Sequence, residues 1–154
     1  MSTNSTSTPP NTNGTVTLAV VRQDQVTAFA VVNSAGVDLS LLLGPTFTER
    51  YPRPRTGDLV AILDDRIVYV WQRALVLRVL PEGLRLRLSD GTQAITPPQP
   101  ATLDATTLRT GEPVFTSRTA VVARAWPWYE PQLPSAALQA YAATVVAGEA
   151  QNEG

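Results

Sequence analysis

Between residues 15 and 95 the chain is a succession of short apolar or alternating runs, and nothing in that interval carries the three-to-four spacing of an amphipathic helix. Residues 15–22 (TVTLAVVR) put Val16, Leu18 and Val20 on one face, and residues 26–33 (VTAFAVVN) follow a polar turn through Gln23, Asp24 and Gln25. Further runs occupy 38–43, 58–63, 66–71 and 74–80. Residues 84–88 (LRLRL) alternate strictly, with Leu84, Leu86 and Leu88 facing in and Arg85 and Arg87 facing out, before an Asp90-Gly91 turn. Short strands at this spacing predict a mainly β fold, a small barrel or sandwich. No internal repeat is visible beyond the strand rhythm itself.

The two ends differ in texture. Residues 1–14 contain no apolar side chain after Met1. Such a segment cannot bury enough surface to offset its ordering entropy, so it is expected to form a flexible polar arm. It lacks the basic and apolar regions of a signal peptide, and no run is long enough for a membrane span. The β-barrel domain is expected over 15–95. A Pro-rich connector with extra strands and an aromatic segment follows over 96–134. Val114, Thr116, Val121 and Ala123 take its candidate inner positions. Ser135 is a suitable N-cap for one C-terminal α-helix over 135–150, ending near Gly148.

Composition removes most catalytic chemistry. The 154 residues include no Cys, no His and no Lys. Thiolate nucleophiles, sulfur or imidazole metal ligands, Ser-His-Asp triads, P-loop lysines and Schiff bases are therefore unavailable. Only carboxylates, hydroxyls and arginines remain. The pair Asp64-Asp65 is expected in a solvated turn, and Ser89-Asp90-Gly91-Thr92 in a hairpin turn. A non-enzyme needing no metal or organic cofactor is expected. The net charge of −1 argues against a bulk electrostatic binder of nucleic acid or membranes.

Three features carry candidate function. Residues 51–63 (YPRPRTGDLVAIL) bring a Pro-rich approach to Gly57-Asp58-Leu59-Val60, where a strand opens. This Gly-Asp-x-Val step resembles that of the small OB-fold or SH3-like barrels found in tailed-bacteriophage virion proteins, a resemblance covering roughly residues 14–80. It implies a virion structural protein, with capsid decoration placed ahead of a tail or head-tail connector role. The implied location is the virion, and the implied partners are further copies of the chain and other virion proteins such as the major capsid protein.

Secondly, Trp126, Trp128 and Tyr129 sit among prolines and, with Tyr141, are candidate interface anchors or the cover of a barrel end. Thirdly, Arg50, Arg53 and Arg55, interleaved with Tyr51, form a local basic cluster. In an alternative reading these four residues contact single-stranded nucleic acid through an OB-type loop; otherwise the loop is solubilising, with Glu49 and Asp58 as ion-pair partners. Arg78, Arg85 and Arg87 are expected as outward cover on one sheet face.

Overall fold

The computed structural model describes residues 15–153, so the arm expected over 1–14 lies outside the described residues. The first five strands are β1 (Thr17–Asp24), β2 (Phe29–Asn33), β3 (Asp38–Leu43), β4 (Leu59–Leu63) and β5 (Arg66–Leu80). Strands β6 (Gly83–Leu88), β7 (Gln93–Thr96), β8 (Pro113–Thr116) and β9 (Val121–Arg124) follow. A four-residue helix α1 (Phe47–Arg50) joins β3 to β4, a 3₁₀ turn lies at Ala105–Thr107, and the chain ends in α2 (Ala136–Glu153). The protein is mainly β with one long C-terminal helix, as its sequence predicts.

The runs at 66–71 and 74–80 are one strand rather than two. β5 is 15 residues long and passes through Gln72 and Arg73 without a break. Its first half pairs antiparallel with β4 and parallel with β3. Since β1 pairs with both β2 and β4, and β2 with β3, these strands close a ring in the order β1-β2-β3-β5-β4. That order, with a parallel closure between the third and fifth strands, is of the OB type. Ala19, Val21, Phe29, Val31, Val60 and Ile67 belong to its interior core.

The second half of β5 opens another ring. It pairs with β6 and β8, β6 pairs with β7, and β8 pairs with β9. A parallel bridge between Pro98 and Val121 closes the circuit. The interior is filled by Ala74, Val76, Leu84, Leu86, Val114 and Val121. The expected division after residue 95 therefore falls inside this second ring.

The two rings are the same unit twice, which corrects the reading that the chain has no internal repeat. Register pairs Thr17 with Ile62 and Val20 with Leu59 in the first, and Gln72 with Thr116 and Leu75 with Pro113 in the second. The β-bulge between Val21 and Gln23 recurs between Val76 and Arg78. Another, between Ala61 and Ile62, recurs between Phe115 and Thr116. Arg-Thr-Gly-Asp at 55–58 becomes Arg-Thr-Gly-Glu at 109–112. Gly57 and Gly111 have φ of 96° and 92°, and their amides donate to Val21 O and Val76 O. The left-handed backbone explains why glycine stands at both positions.

A third core joins the rings. Leu18, Leu59 and Trp71 on the outside of the first ring meet Phe115 and Val122 from the second, and Leu138, Ala142 and Val146 of α2 pack across them. Ser135 caps α2, accepting from Leu138 N at 3.1 Å. The helix continues through Gly148 to Glu153 instead of ending near the glycine. Val16, Leu18 and Val20 do share a face, but that face looks towards α2 and not into a ring. No helix among the described residues is long and apolar enough to cross a membrane.

Candidate functional site

The basic loop does not present its cations together. Arg53 lies along the Asp24 carboxylate, with contacts of 2.7 and 2.6 Å, donates to Val26 O and sits 4.6 Å from the centre of the Phe29 ring. This fork of hydrogen bonds holds the Asp24 carboxyl down at about 2. Arg50, at the end of α1, reaches the Glu149 carboxylate of α2 at 3.7 Å. Tyr51 packs at a tilt against Phe47 and edge-on against Tyr69, so its ring is a packing element rather than a free platform. Arg55 is exposed beside a cleft of about 330 Å³ that Asp24, Arg53, Gln72 and Asp90 also line.

Asp58 is the unusual carboxylate. It is fully buried where the 55–58 turn abuts β5, with one oxygen accepting from Arg55 N at 2.9 Å and the other from Arg73 N at 2.8 Å. Burial pushes its pKa up to about 6 against the lowering effect of those two amides. Both acceptor sites are occupied by backbone, which makes it a structural clasp between the rings. Its counterpart Glu112 also accepts from the Arg109 amide, but its other oxygen takes the Arg124 guanidinium at 2.8 Å, and its pKa is lowered chiefly by that contact. Asp64 and Asp65 form an exposed turn with φ of 52° and 63°. Asp90 caps its own hairpin, accepting from Thr92 N and Oγ1. Among the described residues, no three acidic side chains converge as a cation site would need.

The aromatic segment is divided between core and surface. Trp126 is buried edge-on to Phe115, at 5.1 Å between ring centres, so it belongs to the joint between rings. Trp128 and Tyr141 are half-buried against the same core. Tyr129 is 66% exposed and Leu133 is 83% exposed. Their backbone is held at two points: Trp128, just before Tyr129, lies 6.0 Å from the Arg22 guanidinium, and Pro131, between the two, lies against Gly36.

The sequence marks Asp58 as an acceptor of backbone amides at its turn, which the Arg55 amide bears out, and as an ion-pair partner of the basic loop, which it is not. Its full burial and its bond to Arg73 N were not readable, because nothing in a Gly-Asp step shows that β5 will cover it. Leu133 was missed, as a single leucine between prolines carries no periodic signal. No protein-family model and no curated protein sequence matches the chain.

Proposed function

We propose that this chain is a non-enzymatic assembly protein that associates with further copies of itself, of the kind that builds tailed-bacteriophage virions, with capsid decoration ahead of a tail or connector role. The observation that carries the reading is the rigid presentation of Tyr129 and Leu133. Both are large, apolar and exposed, yet their backbone is fixed by Trp126, Trp128 and Pro131. A pre-ordered aromatic contact loses little conformational entropy on docking, which is what an interface anchor requires. The shared core and the buried Asp58 clasp add rigidity, as a repeating building block needs. The Gly57-Asp58-Leu59-Val60 step that supports the virion class lies where the turn at Gly57 enters β4.

The test is the solution mass by light scattering over a concentration series. Wild-type chain is expected to be oligomeric, and Tyr129→Ser/Leu133→Ser monomeric with little change in melting temperature. A wild-type monomer at the highest concentration would overturn self-association. The virion assignment is tested separately by cosedimentation with capsids, tails and connectors from the source particle.

Single-stranded nucleic acid is the second reading, since the Arg55 guanidinium beside its cleft makes no hydrogen bond or ion pair among the described residues, its backbone alone reaching Asp58. Arg50 and Arg53 support it less, being already engaged with carboxylates.

A further inference from the structure

Because the rings repeat one another, each outer face can be compared with its counterpart. On the first ring, Val20, Ala30 and Val32 point outward from β1 and β2 and are buried. Trp128 packs against the core containing Val20, and Pro131 stands by Gly36 in the β2–β3 turn. The segment 126–134, which makes a turn at Trp128–Glu130 closed by Glu130 N donating to Pro127 O, thus lies across this side of the first ring.

On the second ring the corresponding positions are Leu75, Arg85 and Arg87, with Ile95 where β3 has Ser40. No described segment covers them: Leu75 and Ile95 are 38% and 48% exposed, and both arginines are exposed. Arg78 stands directly opposite Arg85 across the strand pair. Like charges so placed are destabilising, and among the described residues the guanidinium groups of Arg78, Arg85 and Arg87 make no hydrogen bond or ion pair, although their backbones are paired in the sheet. Glu82 and Asp90 occupy the turns at the two ends of β6, and Asp90 is already capping its turn. A shallow depression of about 400 Å³ is lined by Arg85, Gln93, Ala94 and Ile95. A second, of about 210 Å³, is lined by Arg73, Leu75, Arg87 and Ser89 among others.

We propose that the outer face of β5, β6 and β7 in the second ring docks an extended acidic segment of a partner protein, laid across the strands as residues 126–134 are laid across the first ring. The uncompensated Arg78–Arg85 pair supplies the charge complementarity. Leu75 and Ile95, set among the arginines, match a segment whose acidic side chains alternate with apolar ones. The counterpart cover in the first ring is itself polypeptide, rich in proline and aromatics. Nucleic acid fits the face less well, because Leu75, Arg78, Arg85, Arg87 and Ile95 offer no aromatic platform for a base. The surface is separate from Tyr129 and Leu133, so it does not depend on self-association.

The test uses the full chain and three fluorescent probes. One is a twelve-residue peptide in which Glu alternates with Leu and Pro, the second is the same peptide with Gln for Glu, and the third is oligothymidylate. The acidic peptide is expected to bind at least roughly tenfold more tightly than either of the others. Arg85→Ser/Arg87→Ser should lose about tenfold or more of that affinity, whereas Arg109→Ser and Tyr129→Ser/Leu133→Ser retain it. Relief of the like-charge pair should leave the melting temperature of the double variant unchanged or raised. If that variant unfolds, the single Arg78→Ser exchange takes its place, with loss of affinity again expected. Undetectable binding of the acidic peptide, equal binding of both peptides, tighter binding of oligothymidylate, or unchanged affinity in the arginine variants would each overturn the proposal.

Discussion

Replacing Asp58 by Asn separates two roles of this side chain that the fold has fused. In the unfolded chain the carboxyl titrates near 3.8, and in the fold burial lifts it to about 6. Native protein therefore holds more protons than unfolded protein between about pH 4 and pH 6. Its stability falls as pH rises through that window and is flat beyond it. A shift of about two units corresponds to about 3 kcal/mol at about 1.4 kcal/mol per unit. Asn carries no charge at any pH, so it abolishes this slope. It also puts an amide donor where a carboxylate oxygen accepts from Arg55 N or Arg73 N, which costs about 1–3 kcal/mol. At pH 4 the variant should be the weaker protein by that amount. At pH 8 the wild type has lost its roughly 3 kcal/mol, and the two should be close or reversed. Urea unfolding at several pH values reads the difference between the two proteins, in which other titrating groups cancel. Parallel pH profiles would refute the reasoning, showing that the folded carboxyl keeps its ordinary pKa despite its burial.

Trp126→Ala should cost about 3–5 kcal/mol of unfolding free energy, because the ring fills the joint against Phe115; equilibrium denaturation checks this. Gly57→Ala should be more damaging than Gly111→Ala in a thermal melt. Both have left-handed backbones, costing roughly 1–2 kcal/mol for a Cβ, but only at Gly57 would the new carbon meet a neighbour, Arg73 Cδ at 3.1 Å. Arg53→Gln frees the Asp24 carboxyl from its lowered pKa. Proton NMR titration should show Asp24 moving up from about 2 towards the ordinary range, with a stability loss of no more than about 1 kcal/mol for so exposed a pair.

The strands were legible because their alternation is local. Leu84, Leu86, Arg85 and Arg87 face as the pattern predicts, and Ser135 caps the helix it precedes. The continuity of β5 was not legible: Gln72 and Arg73 interrupt the apolar run where the strand leaves one core for the next. The duplication was hidden for a related reason. Equivalent positions lie under the 126–134 segment and α2 in the first ring but face solvent in the second, so Val20, Ala30 and Val32 became Leu75, Arg85 and Arg87. The correspondence also slips by one residue between Phe47 and Arg55. The positions that kept their identity are few and scattered: the two Arg-Thr-Gly turns, and the interior pairs Ala19 and Ala74, Val21 and Val76, and Val60 and Val114. Trp126 could not be assigned between core and surface, because its partner Phe115 comes from a strand whose neighbours the sequence does not reveal.

Sharing one strand also sets the orientation of the rings about it. Side chains along β5 alternate with a period of two, so the phase that turns Ile67 and Val70 into the first interior, across its local bulge, fixes which of Ala74 and Leu75 enters the second. Adding or deleting a single residue at Gln72 would leave the first ring intact while turning the second inside out, exposing Val76 and burying Leu75. No flexible joint exists there to absorb the error. The spacing through β5 is thus a coupling between two cores, conserving their mutual rotation as a keyed shaft does.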